Sequence, residues 1–181
     1  MNDKKNLEQL AEAIKRRNAA EREIAQIIGR PGQLGHVGEY VASHILGIDL
    51  AQSAVNKAID GRFAGGILKD RSVDIKFYAT MEGLLDISQS ILPDYYLVLT
   101  GPKAPAISSR GTTRPWLISY VYLFEAKALV SQLKLRPVKI GVAASIAKQL
   151  WDAAELYPVP RNRLFTLSEE QRTMLALFSH S

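Results

Sequence analysis

Apolar residues recur at three- and four-residue steps in two stretches near the start of the chain. The first stretch runs from Asn6 to about Gly29, and the second runs from about Leu34 to Leu46. This spacing places the apolar side chains on one face of a helix and predicts two amphipathic helices. The intervening segment Gly29-Arg30-Pro31-Gly32 ends the first helix, because glycine and proline interrupt helical structure.

The same spacing predicts three more helices in the second half of the chain. Ser145 and Ser168 precede two of them as candidate N-caps, and Gln171 completes a capping box with Ser168. The three predicted helices are Glu125–Leu135, Ser145–Leu156 and Ser168–Phe178.

Strands are indicated by strict alternation or by short continuous apolar runs. In Ile59–Tyr78 we predict a hairpin in which Asp60 begins one strand and Val73–Phe77, with its alternating side chains, forms the other. Tyr95–Gly101 is almost continuously apolar and predicts a buried central strand. Further strands are predicted over Trp116–Phe124 and Val138–Ala143.

These elements predict one domain over residues 1–181, of the α/β class, with a central mixed β-sheet flanked by helices. Residues 1–30 form an N-terminal helical extension, residues 34–143 form the core, and residues 144–181 add C-terminal helices. A chain of 181 residues is long enough to bury a substantial core.

Composition narrows the classes of function that the chain can serve. The chain contains no cysteine, which excludes disulfides, zinc-thiolate sites and thiol catalysis. The polar start MNDKKNLEQL and the lack of a long apolar run predict a cytoplasmic protein without a membrane segment. The formal net charge of +5 is compatible with a polyanionic partner but does not require one.

The predicted strand Val73–Phe77 carries the strongest candidate chemistry. Asp74 and Lys76 lie two residues apart and therefore on one face of the strand. Phosphodiester hydrolysis uses such a pair, in which the carboxylate holds Mg²⁺ and the lysine stabilises negative charge. Asp60 is the nearest second carboxylate, and Glu39 on the second helix is a third candidate. The alternative interpretation is a solvated strand face with an ordinary ion pair.

Basic residues are candidates for contacts with nucleic acid. The segment Gly101–Pro115 is rich in glycine, proline, serine and threonine, so we predict a long loop that carries Lys103, Arg110 and Arg114. The basic residues of the first helix suit a solvated face. That helix is also a candidate for phosphate contacts or for homodimer formation.

The order of predicted elements resembles the core of the restriction-endonuclease-like superfamily, the PD-(D/E)xK nucleases. The resemblance covers roughly Leu34 to Ala143, and Gly35–Glu39 (GHVGE) also resembles the GHxGE helix of uncharacterised bacterial families. No proline precedes Asp60, and the literal Pro93-Asp94 comes after Asp74 in the chain.

The resemblance implies a metal-dependent nuclease that hydrolyses phosphodiester bonds, with DNA favoured over RNA as substrate. Asp60, Asp74, Lys76 and Glu39 would be its catalytic residues. Mg²⁺ or Mn²⁺ would bind Asp60, Asp74, Glu39 and the carbonyl of Ile75. Two alternatives stay open: a non-catalytic nucleic-acid-binding module on the same fold, and a homodimeric interaction protein without nucleic-acid activity.

Overall fold

The computed structural model describes residues 2–51, 59–88, 90–103 and 114–179. It has a mixed α/β structure in which a central mixed sheet is flanked by helices, as the sequence predicts. No helix in these ranges is both long and apolar enough to cross a membrane.

Both helices predicted near the start of the chain are confirmed, as α1 (Asn2–Ile28) and α2 (Leu34–Leu46). The C-cap of α2 is Gly47, whose φ of 66° is in the left-handed region that glycine adopts without strain. The side chains of α1 are exposed along most of its length, whereas α2 buries one face.

A six-stranded sheet forms the centre of the structure, in the order β1-β2-β3-β5-β6-β8. β3 and β5 are parallel, and the other neighbours in the sheet are antiparallel. The strands β4 (Leu84–Leu85) and β7 (Ala144–Ser145) form a separate pair. The strands of the large sheet are β1 (Ile48–Leu50), β2 (Gly61–Phe63), β3 (Ser72–Tyr78), β5 (Tyr95–Thr100), β6 (Tyr120–Glu125) and β8 (Glu155–Tyr157).

One face of the sheet is covered by α2. Val73, Ile75 and Phe77 of β3 enter a hydrophobic cluster that contains the buried residues of this helix. A Cβ added at Gly38 would lie 2.8 Å from the Cβ of Phe77. Glycine at this position therefore lets the backbone of α2 approach β3 closely.

The opposite face of the sheet is covered by α3 (Ala126–Lys134) and α4 (Lys148–Ala154). Trp151 of α4 contacts Tyr122 and Phe124 edge-on, with ring centroids 4.8 and 4.9 Å away. Asp74 belongs to this face, because side chains alternate along β3.

The last helix is also confirmed, as α5 (Glu169–Ala176). Ser168 accepts a hydrogen bond from the backbone of Gln171, whose side chain in turn accepts one from the backbone of Ser168, forming the predicted capping box.

Between residues 138 and 157, one prediction is wrong and a second is confirmed only in its central part. Val138–Ala143 is not a strand: Gly141 has a φ of 147° and Ala143 a φ of 55°, and neither value suits extended backbone. The helix predicted over Ser145–Leu156 starts later, after the N-cap Ala147, and Ser145 instead pairs with Leu84. The end of that predicted helix is β8, which gives the C-terminal region a strand of the main sheet.

Elsewhere, the structure differs from the sequence predictions in the start of one strand and in the presence of one additional short strand. The strand predicted over Trp116–Phe124 begins at Tyr120, and the segment after Leu46 contains the short strand β1. The buried central strand is confirmed as β5.

Candidate active site

The candidate site lies where β3 extends beyond the start of β2. The two strands pair with Gly61 opposite Val73 and Arg62 opposite Ser72. A Cβ added at Gly61 would lie 2.5 Å from the carbonyl oxygen of Asp49, so glycine is needed where β1 and β2 approach each other. The second half of β3 thus continues past the point at which β2 begins, and Asp60 stands at this step.

Two hydrogen bonds fix Asp60 against β3. Its backbone N–H donates to the carbonyl of Val73 at 2.9 Å. Its carboxylate oxygen Oδ2 accepts from the backbone N–H of Ile75 at 2.7 Å. The side chain of Asp60 therefore takes the place of a backbone carbonyl of a neighbouring strand as the acceptor for the Ile75 N–H of β3. The predicted hairpin geometry, with Asp60 beside the strand that carries Asp74, is confirmed.

Asp74 and Lys76 form a direct ion pair on one face of β3. The Nζ of Lys76 lies 2.6 Å from Oδ1 of Asp74. The side chain of Asp74 is only 3% exposed, whereas that of Lys76 is 26% exposed. The Lys76 side chain is thus partly in contact with solvent, whereas that of Asp74 is buried.

The surroundings of Asp74 change its protonation. The pKa of Asp74 is raised from 3.8 to about 7; burial is the largest cause, and the neighbouring Asp60 carboxylate makes a smaller contribution within that rise. The hydrogen bond and positive charge of Lys76 act in the opposite direction and offset part of this effect. Asp60 and Asp74 are therefore close enough to interact, and an additional cation beside them would favour the ionised form of Asp74.

The backbone of Ile75 adds an oxygen at the same step. In an extended strand, the N–H and C=O of one residue point to the same neighbouring strand. Because the Ile75 N–H donates to Asp60, the Ile75 carbonyl is directed to the same edge of β3. This orientation suits the predicted role of the carbonyl as an extra metal ligand.

Glu39, the third predicted carboxylate, does not join Asp60 and Asp74. Its carboxylate forms an ion pair with Arg30. α2, which carries Glu39, packs against the Phe77 face of β3, whereas Asp74 points to the other face. In the described part of the chain, no three acidic, histidine or cysteine side chains form a group able to hold a metal. The structure thus brings together Asp60, Asp74 and Lys76 but does not add Glu39 to them.

Two of the residues predicted to contact nucleic acid, Lys103 and Arg114, lie near the carboxyl-terminal end of β3. The Nζ of Lys103 stands 4.6 Å from the ring centroid of Tyr120. Arg114 lies 3.2 Å from Glu82, and its side chain is 53% exposed. Arg110 lies outside the described residues, as does most of the predicted loop between Gly101 and Pro115.

A cleft of about 500 Å³ lies beside these residues and was not predicted from the sequence. Tyr78, Glu82, Arg114 and Trp116 contribute to its lining. Tyr78 shares the strand face of Lys76, but neither Lys76 nor Asp74 is among the residues that line the cleft. Trp116 is 42% exposed. A tryptophan directly after the basic end of a glycine- and proline-rich loop is the signal that could have identified this cleft.

Asp94, the acid of the literal Pro-Asp motif, has a separate structural role. Its Oδ2 accepts hydrogen bonds of 2.8 Å from both the backbone N–H and the hydroxyl of Ser72. Its own N–H donates to the Ser72 hydroxyl at 2.9 Å. These bonds join the first residue of β3 to the residue that precedes β5.

Comparison of the chain with known protein families finds no family model that matches it. Comparison with curated proteins likewise finds no significant match. The chemistry of the site must therefore be inferred from the contacts of Asp60, Asp74 and Lys76 themselves.

Proposed function

We propose that this protein is a Mg²⁺-dependent nuclease of the PD-(D/E)xK type, acting on DNA or RNA. One observation carries the proposal. Two neighbouring carboxylates, Asp60 and Asp74, stand at a step in the sheet, and the Lys76 amine lies 2.6 Å from the buried one. Along the chain, α2, the hairpin of β2 and β3, β5, β6 and α3 follow one another, with the short strands β1 and β4 between them. This order also supports the PD-(D/E)xK assignment.

The donor atoms at the step fit a hard divalent cation. Two carboxylates and a backbone carbonyl supply oxygen ligands, which Mg²⁺ and Mn²⁺ prefer. Mg²⁺ in phosphoryl-transfer sites commonly binds one or two carboxylates, and water and substrate phosphate complete its shell. Asp60, Asp74 and the Ile75 carbonyl would therefore suffice without Glu39. The bound ion would polarise the phosphodiester and make a water more acidic.

The side chains at the site and beside it would each have a separate role in hydrolysis. Asp60 is held by the Ile75 N–H, so its carboxylate is oriented before any ligand binds. Lys76 can turn its amine from Asp74 to a water or phosphate oxygen, because its side chain is partly exposed. There it would orient the attacking water and offset the negative charge that develops on the phosphate. Lys103 and Arg114 would hold the nucleic-acid backbone beside the site.

Cleavage assays with paired variants test the proposal. With Mg²⁺ or Mn²⁺ the purified protein should cut DNA or RNA, EDTA should stop the reaction, and Ca²⁺ should support binding without turnover. Asp74→Asn and Lys76→Ala should each lower the rate by at least about a hundredfold, or roughly 2.7 kcal/mol. Asp49→Asn and Lys69→Ala are matched controls on exposed positions and should keep the wild-type rate.

Two outcomes of these assays would contradict catalysis at this site. If the Asp74 and Lys76 variants cut at the wild-type rate while remaining folded by circular dichroism, the activity does not come from this site. If the wild type cuts nothing with any of these metals, the proposal of hydrolysis fails.

The direct ion pair of Asp74 and Lys76 also favours a second candidate, a nucleic-acid-binding module without catalysis, since a direct ion pair can be purely structural. Binding measured over a salt series separates the candidates. A binding module should bind without cutting, and Arg114→Ala should weaken binding and flatten its salt dependence. A protein that binds no nucleic acid at any salt concentration contradicts both candidates and leaves the interaction protein.

A further inference from the structure

The long helix α1 has an apolar stripe whose first half its own chain leaves uncovered. Leu7, Leu10 and Ile14 are 65%, 54% and 48% exposed. Three exposed aliphatic side chains along one helix face are unfavourable in water unless another surface covers them. Near the end of the helix, Ile24 and Ile28 continue the stripe and are half-buried.

The stripe follows a heptad rather than a simple helical pattern. Its members alternate steps of three and four residues, which is the spacing of a two-stranded coiled coil. Two members are charged: Arg17 and Glu21 occupy the middle of the stripe and lie 3.3 Å apart on the same helix. The complete series is Leu7, Leu10, Ile14, Arg17, Glu21, Ile24 and Ile28.

The two charges select one arrangement of two such helices. In a parallel pair, equivalent positions face each other, so Arg17 would meet Arg17 and Glu21 would meet Glu21 of the second copy. In an antiparallel pair centred on Ala19, Arg17 of each copy faces Glu21 of the other. The same register places Ile14 opposite Ile24 and Leu10 opposite Ile28. Every stripe residue from Leu10 to Ile28 then meets a partner of matching character.

We infer that α1 pairs with α1 of a second copy of this chain as an antiparallel two-helix interface centred on Ala19. The interface is self-complementary, as a two-fold dimer requires. The helix carries six basic and five acidic side chains. Its nearly balanced charge suits pairing with itself better than binding along a polyanion. The inference does not depend on hydrolysis at Asp74.

Charge exchange tests both the dimer and its direction, with mass measured by sedimentation over a concentration series. The wild type should be a dimer at high concentration and dissociate on dilution. Arg17→Glu alone should place like charges at both central contacts and weaken the dimer at least tenfold. Glu21→Arg alone should do the same. Arg16→Glu, an equal charge change on an exposed position off the stripe, should leave dimerisation unchanged.

Mixing the two variants gives the sharpest result. In the antiparallel register, the acidic pair of Arg17→Glu faces the basic pair of Glu21→Arg, so equal amounts should form a heterodimer although each variant alone is monomeric. The double variant Arg17→Glu/Glu21→Arg should dimerise again. A monomeric wild type at all concentrations overturns the inference. So does a mixture that stays monomeric while both variants keep their helical circular dichroism.

Discussion

Asp74 in β3 and Asp94 just before β5 respond to their surroundings in opposite ways. Burial dominates at Asp74 and raises its pKa to about 7, although Lys76 is in contact with it. At Asp94 the cost of burial is outweighed by hydrogen bonds from Ser72 and the charge of Arg71, and the pKa falls below its usual range. Asp94 is thus a structural carboxylate, whereas Asp74 lacks sufficient partners for its charge in the metal-free protein.

The first prediction concerns Asp74 and pH. A carboxyl whose pKa rises from 3.8 to about 7 on folding binds its proton more tightly in the folded protein. Its contribution to the free energy of unfolding is therefore fully present below about pH 4 and is lost as the pH rises towards about 7. The loss should be at most about 4 kcal/mol. Asp74→Asn should remove this loss.

Urea denaturation of the metal-free protein between pH 4 and 8 measures the effect. The difference in unfolding free energy between wild type and Asp74→Asn should change with pH in this window and become constant above it. The exposed Asp49→Asn variant should follow the wild type. A pH-independent difference between Asp74→Asn and wild type would contradict the raised pKa.

At the scale of elements, the site depends on how β3 is held between its neighbours. β5 pairs with β3 along its whole length, from Val73 with Tyr95 to Tyr78 with Thr100. β2 pairs with its beginning, and α2 packs on its apolar face. Because β2 pairs only with the beginning of β3, the same edge of β3 is free at Ile75, where the side chain of Asp60 binds.

The second prediction concerns the contact between α2 and β3. Gly38→Ala should force the two elements apart, because the new Cβ would lie 2.8 Å from the Cβ of Phe77. We expect the free energy of unfolding to fall by about 1–3 kcal/mol. Thermal and urea unfolding measure the change.

Gly35→Ala is the matched control on the same helix. A Cβ at Gly35 meets no heavy atom within 4 Å, and alanine favours helix over glycine by up to about 1 kcal/mol. This variant should be as stable as the wild type or slightly more stable. If Gly38→Ala and Gly35→Ala lower the free energy of unfolding equally, the contact between Gly38 and Phe77 is not the reason for glycine at position 38.

At the scale of the whole molecule, positive charge is unevenly distributed along the chain. The net charge is +5, but α1 contributes little of it, because its basic and acidic side chains nearly balance. Most of the positive excess therefore lies in the residues that follow Ile28. This division agrees with a body that binds a polyanion and an α1 that binds its own copy.

The third prediction concerns metal binding by the folded protein. A ligand that binds only the folded state stabilises it by about 2.7 kcal/mol at a concentration a hundredfold above its Kd. Mg²⁺ or Mn²⁺ should therefore raise the Tm of the wild type at pH 8, and EDTA should reverse the shift. Asp74→Asn should abolish the shift, whereas Asp49→Asn should retain it. An equal metal-induced rise in Tm in both variants would mean that the metal does not bind at Asp74.

The sequence alone was sufficient for features that depend on local geometry. The periodicity of apolar residues predicted α1, α2 and α5 because each helix carries its own pattern over many residues. Alternation along Val73–Phe77 required Asp74 and Lys76 to share a face. The glycine after Asp60 and the turn region before Arg71 were enough to predict the hairpin.

Other features were decided by contacts between residues far apart in the chain. β8 is only three residues long, too short to show alternation, and it forms because Glu155 pairs with Tyr122 of β6. Glu39 lies on the predicted helix α2, but the packing of Gly38 on Phe77 places that helix on the face of β3 opposite Asp74. The burial that raises the pKa of Asp74 likewise comes from neighbouring strands and helices. Such effects depend on tertiary packing, and no local pattern of residues encodes them.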